Sequence, residues 1–315
     1  MFNLVYNELY KIFKRKRTII PFAVIAVLIV GLGWVTVKYL EPETKGWKVD
    51  YTERTVEIEK KLGMKKADIL AEKSGDELVK EYQLKMKHLD TDIAPSSSSP
   101  LSFMRDTGFI VFPILLPFIL VYASTIFANE YSWGTYKFLT IRPANRFKIL
   151  TAKFLAIVLF AALLFIFNMI FSALCGLVIY KFQQPAWSEF IFRDGNIIKQ
   201  NIFMEVSKYY VLSWLPTIVY AAFAFMISVL TRSSGGAIGI SLFLALSGNI
   251  ALIAATRYEW AKYLLPANTD LYSISKNGSF IDGVTFPFAS CILLLYLIVF
   301  LGISYTVFIK RDLTA

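Results

Sequence analysis

The sequence predicts an all-α integral membrane protein: six transmembrane helices, an amphipathic N-terminal interfacial helix, and a helical extracellular insertion between spans 1 and 2. Three observations carry that expectation. Of 315 residues, 56% are hydrophobic and only 18% charged, a balance outside the usual range of soluble domains. The charges vanish from six long windows and crowd into the segments between them. The windows also lack the alternation of a barrel strand, so in lipid their backbone must satisfy its own hydrogen bonds as helix.

The chain divides into an interfacial helix (1–17), span 1 (18–37), an extracellular loop domain (38–106) and a membrane domain (107–315). The remaining windows are 107–129, 154–180, 209–231, 233–256 and 283–309. Each meets the roughly 20 residues that a hydrocarbon core of about 30 Å requires.

Ahead of span 1, Phe2, Val5, Tyr6, Leu9, Ile12 and Phe13 recur at helical spacing opposite Asn3, Asn7, Lys11 and Lys14. That pattern reads as a helix lying on the membrane surface, or as a simple basic anchor. No small-residue cleavage site follows the apolar run, so it is expected to stay attached as span 1.

In 38–106, Val56, Ile58, Leu62, Ile69, Leu70, Leu78, Val79 and Tyr82 are the apolar positions of two or three short helices, broken near Gly63 and at "SGD". "APSSSSP" reads as a return linker. The loop is either a solvated cap or a substrate contact, and His88, the one histidine, is expected to be solvated within it. The segment 181–208 shows no recognisable motif. In 257–282, Trp260, Tyr263, Leu264, Leu265 and Pro266 suggest a short interfacial helix that dips into the outer leaflet and stops.

Orientation follows from the basic residues. With the N-terminus inside, the cytoplasmic pieces carry 13 basic and 3 acidic residues, the outer ones 20 of each. The net charge of +10 therefore lies on one side, which places both termini in the cytoplasm of a multi-pass cell-membrane protein. Topology thus explains the basic balance without a nucleic-acid partner.

Catalytic material is sparse. No Gly-x-x-x-x-Gly-Lys-Ser/Thr loop occurs, so no nucleotide site is expected on this chain. One histidine cannot build a histidine-based zinc site or a Ser-His-Asp triad. Cys175 and Cys291 lie within spans 3 and 6 and read as packing residues. The windows contain no Asp, Glu, Lys or Arg, which disfavours ion-coupled transport. Among their polar residues, Asn168, Thr217 and Asn249 either bond between helices or line a path.

One cytoplasmic piece, 130–153, is long enough to engage a partner. Trp133 to Leu139 can form a short helix, Gly134 keeping its surface shallow, Thr135 available to a partner backbone, and Pro143 ending it. A second helix then starts, with Arg146, Lys148 and Lys153 near the headgroups. The stretch "NEYSWGTYKFLTIRPANRFKILTAKFL" resembles the segment between spans 2 and 3 of type 2 ABC exporter permeases, at Glu130, Gly134, Thr135, Leu139, Pro143, Arg146 and Lys153. "NELYKIFKRKRT" at 7–18 is similar to that family's interfacial helix, and "FAFMISVLTRSSGGAIGISLFLAL" at 223–246 to its fourth and fifth spans with their tight inner turn.

The resemblance implies that 130–153 is a coupling element docking on a separate ATPase subunit, which holds ATP and Mg, and that two permease chains pair. Gly235 and Gly239 are then candidate close-packing or dimer contacts, or Gly235 and Gly236 simply make the turn. The expected function is export of an amphipathic or lipid-like molecule, a peptide antibiotic being one such substrate. The alternative is a membrane sensor or anchor that detects an extracellular ligand through 38–106.

Overall fold

In the computed structural model, the described residues are 1–39, 46–72, 76–93, 95, 99–132, 145–180, 187–193, 196–231 and 233–310. The helices are α1 (Phe2–Phe13), α2 (Ile19–Tyr39), α3 (Trp47–Leu62), α4 (Lys66–Ala71), α5 (Glu77–Thr91), α6 (Pro100–Ser132) and α7 (Arg146–Ile179). An antiparallel hairpin, β1 (Ser188–Arg193) with β2 (Asn196–Asn201), precedes α8 (Ile202–Thr231), α9 (Ser234–Ala255), α10 (Leu271–Asn277) and α11 (Phe286–Lys310).

Among the described residues five helices are long and apolar enough to cross a membrane: Lys16–Tyr39, Pro100–Glu130, Arg146–Ile179, Ile202–Thr231 and Phe286–Lys310. The remaining window folds as α9, of which Ser234–Gly248 is a shorter apolar stretch. Several helices begin well before their charge-free windows: α6 starts at Pro100, α7 at Arg146 and α8 at Ile202. Charge limits the hydrocarbon-soluble part of a helix, but the backbone ladder continues through the headgroup region.

The chain forms two compact units. The first comprises residues 1–25, 110–168 and 209–315. In it the turn from α1 into α2 is fixed by Thr18, whose hydroxyl donates to the Ile12 carbonyl and accepts from the Tyr122 hydroxyl at 3.0 Å. Phe22 contacts Phe160 and Phe167 edge-on. Between α6 and α9 the Ser124 and Ser241 hydroxyls are 2.8 Å apart, while Ser228 of α8 accepts from the Ala128 backbone N–H at 3.1 Å.

The predicted dipping segment is two 3-10 turns, Glu259–Tyr263 and Leu265–Asn268, followed by α10. Asn268 is buried and its amide donates to the carbonyls of Lys262 and Leu264. Pro266 lies so close to Gly248 that a Cβ there would come within 2.8 Å of the proline ring.

The second unit, 26–109 and 169–208, contains the insertion. Of the two or three short helices expected, the described residues form three, α3, α4 and α5, and α3 ends at Gly63, which caps it with φ +64°. Ile58, Ile69, Val79 and Tyr82 form its small core, joined by Met86, whereas Val56 and Leu70 are exposed. Arg54 clamps Glu81 through two N–H donors at 3.0 and 3.1 Å, tying α3 to α5.

The hairpin is a small β addition to a mostly helical membrane fold, and the sequence reading did not anticipate it. Strands Ser188–Arg193 and Asn196–Asn201 pair from Ser188↔Asn201 to Arg193↔Asn196. The sequence between them is Asp-Gly, the two-residue connection that best matches hairpin twist, and this signal went unread in 181–208. Glu189 of β1 accepts from Arg105 of α6 at 3.2 Å.

Candidate functional site

Both ends of the segment expected to dock a partner are held by charge. Glu130 lies near the end of α6, and Lys153 closes the second turn of α7. Trp133, Gly134, Thr135, Leu139 and Pro143, between them, lie outside the described residues. The Lys153 ammonium donates to Glu130 Oε1 at 2.6 Å and to Glu8 Oε2 at 3.1 Å. Lys11 donates to Glu8 Oε1 at 2.6 Å and to Glu130 Oε1 at 3.2 Å. Two carboxylates and two ammonium groups thus form a neutral cluster joining α1, α6 and α7.

This corrects the position expected for Lys153. Its side chain is 0% exposed, not among headgroups, while Glu8 and Glu130 are nearly buried. A sequence signal existed: Lys153 shares the buried stripe of α7 with Leu150, Ile157, Phe160 and Leu164, at helical spacing. A charge in such a stripe persists only with partners. Glu8 was not singled out, although it lies on the inward face of α1 with Ile12.

The electrostatics follow from this packing. Burial would push the Glu8 carboxyl up, but the ammonium groups of Lys153 and Lys11 outweigh it and hold Glu8 below its usual value. Burial would push Lys11 down, but the carboxylates of Glu8 and Glu130 raise it instead. Glu8 and Lys11 therefore both favour their ionised forms.

Arg146, at the first residue of α7, donates to the Ile309 carbonyl at 3.1 Å, near the C-terminus of α11, where a cation also meets the negative end of the helix dipole. Beside it, Phe147 stacks on Tyr305, and the Thr151 and Tyr305 hydroxyls are 2.7 Å apart. The segment 130–153 is thus tied at its α7 end to α1, α6 and α11.

The other candidates are placed as follows. Gly235 and Gly239 are exposed on α9, with nothing within 4 Å of a Cβ built at either. Among the described residues no close approach requires them. Ser233 caps α9 by accepting from the Gly236 N–H; Gly235 and Gly236 are already helical.

Asn168 is buried and accepts from the Tyr210 hydroxyl at 2.7 Å, and Thr217 is buried with its hydroxyl on the Ser213 carbonyl. Both lie buried within the first unit. The Asn249 side chain lies outside the described residues.

His88 is also corrected. It is buried, its ring between Tyr51 and Phe190 with centroids 5.9 and 5.1 Å away, and Nδ1 is 2.8 Å from the Ile93 carbonyl. Among the described residues no group of three or more His, Cys, Asp or Glu side chains is placed to hold a metal ion.

Two relatives bear on identity. Over 318 residues, 99% of each chain, this protein is 32% identical to "Uncharacterized protein YhcI" of Bacillus subtilis. Over 203 residues it is 28% identical to "Uncharacterized membrane protein YdbK" of the same species, covering 63% of this chain and 78% of the relative. That description agrees with the apolar helices in making this a multi-pass membrane protein. Residues 77–314, more than half of the chain, match one family throughout, and the protein belongs to that family, described as "Protein of unknown function (DUF2705)".

Proposed function

We propose that this chain is the transmembrane permease subunit of an ATP-binding-cassette exporter. It moves an amphipathic or lipid-like substrate, a peptide antibiotic among the candidates, out of the cell. Six spans, the five long helices and α9, cross the cell membrane with both termini in the cytoplasm. At about 1.5 Å per residue the 22 residues of α9 reach about 33 Å, enough for a core of about 30 Å. The chain itself is not an enzyme and carries no cofactor; ATP and Mg belong to a separate ATPase subunit. A second permease copy or related chain completes the path, α9 offering Gly235 and Gly239 as the contact. No nucleic acid is involved.

The observation that carries this reading is the charge cluster of Glu8, Lys11, Glu130 and Lys153 at the root of 130–153. A motor's stroke is useful only if the element it touches moves the spans. Buried ion pairs to α1 and α7 supply a stiff link where a simple connecting loop needs none. The exposed aromatic stripe of α1, Phe2, Tyr6, Tyr10 and Phe13, supports its place at the bilayer surface.

The test is a pull-down of the solubilised chain from its native membrane. An ATP-binding subunit is expected with the wild type and lost with Gly134→Trp; Arg146→Glu, which also removes the donor to the Ile309 carbonyl, counts as a docking variant only where its unfolding temperature matches the wild type. Absence of such a subunit under gentle conditions rejects the reading. The sensor alternative draws on the self-contained core of α3–α5, and it gains if no ATPase copurifies while that cap captures an extracellular ligand.

A further inference from the structure

Within the second unit, α2 and α7 leave a groove of about 440 Å³. Ile29, Gly33 and Val37 of α2 and Leu174, Val178 and Ile179 of α7 line it, with Trp34 at its rim. Gly33 sets its depth, because a Cβ there would lie 2.9 Å from the Ile179 side chain. Val178 is 65% exposed and Trp34 58%, so the groove opens along its length at the outer face of a spanning pair.

Its dimensions and one charged neighbour among the described residues, Lys38, fit a single kind of occupant. From Ile29 to Val37 the groove follows eight residue steps of helix, about 12 Å at 1.5 Å per residue. That is close to one leaflet of a hydrocarbon core about 30 Å thick. Its lining contributes no charged side chain, which suits an alkyl chain and not a headgroup or peptide. One residue past Val37, Lys38 is exposed, its ammonium 4.7 Å from the Trp34 ring centre and 5.2 Å from that of Tyr39. An ammonium held over two rings at a span terminus is placed where headgroup phosphates lie.

We propose that this groove binds one acyl chain of an anionic phospholipid, with the headgroup phosphate at Lys38. The two parts of the site divide the work: burial of methylenes against α2 and α7 gives affinity, and the lysine chooses among headgroups. The site rests on the membrane character of the chain and not on the exporter reading, so it is tested without nucleotide or an ATPase partner.

The test uses the full chain in phosphatidylcholine vesicles, with brominated-chain phosphatidylglycerol or brominated-chain phosphatidylcholine as quencher. The Trp34 contribution is isolated by difference against Trp34→Phe. Brominated phosphatidylglycerol is expected to quench that contribution at about fivefold lower content, the preference that one lysine confers at about 1 kcal/mol. Lys38→Gln should equalise the two lipids, and Val178→Phe, which fills the groove from its exposed side, should weaken quenching by both. Equal quenching in the wild type overturns the proposal without recourse to a variant. So does a Trp34 shielded from both lipids, the result expected if a second copy of this chain covers the groove, or quenching indifferent to Val178→Phe.

Discussion

Lys153 shows what a single residue contributes. An ammonium with no exposure is tolerated because Glu130 and Glu8 compensate it, and removing it leaves two nearly buried carboxylates with Lys11 as their remaining shared ammonium partner in the cluster. Lys153→Met is therefore expected to cost about 3–5 kcal/mol, the range for stripping one partner from a buried pair, read as a lowered unfolding temperature in detergent. The pH dependence has two limbs. Glu8 is depressed, so its stabilisation is complete above the ordinary value of 4.5 and is lost as pH falls through its lower folded value. Lys11 is raised, so its stabilisation is complete below 10.5 and is lost as pH rises through its higher folded value.

His88 behaves differently. Burial pushes it down, Ile93 and Glu189 oppose that, and Lys85 reinforces it. The fold therefore holds it neutral, and stability should fall as pH drops below 6.5 toward the folded value. Hydrogen exchange of α5 at pH 7 and 5 should show the loss, and His88→Phe should abolish it.

At the scale of elements, close approach decides more than propensity. A Cβ at Gly176 of α7 would stand 3.1 Å from both the Cα and the carbonyl oxygen of Pro100, backbone atoms that open α6. Gly176→Val should then cost about 1–3 kcal/mol as overpacking, whereas Gly239→Ala on α9, with open space around it, should leave the unfolding midpoint of the monomer nearly unchanged or higher. Comparable losses in the two variants would show that the α6–α7 crossing is looser than this geometry. The β hairpin makes the complementary point. The Asp-Gly signal between its strands is local and was readable in the sequence, but its pairing with Arg105 through Glu189 joins residues 84 positions apart, which no spacing in the sequence announces.

At the scale of the molecule, the proposed topology makes an opposite-side prediction. With Cys175 and Cys291 replaced by Ser, Lys60→Cys in α3 should react with an impermeant maleimide in intact cells. Lys14→Cys, beyond α1, should react only after permeabilisation. Both lysines are exposed, so access depends on the side of the membrane and not on burial. The reverse pattern would invert the orientation and put the segment 130–153 out of reach of a cytoplasmic motor.

The sequence by itself determined the membrane class, the helical insertion and the separation of basic from balanced segments. These depend on composition and period, which water and lipid read locally along the chain. It did not determine that Lys153 is buried, that His88 lies between two rings, or that Gly235 and Gly239 face open space. Those outcomes depend on which side chains meet across distant positions, as Glu8 meets Lys153 over 145 residues. A charge beside an apolar window looks alike on paper whether it ends in headgroups or in a neutral cluster. Only the packing of α1 against α6 and α7, which supplies the opposite charges, decided between them.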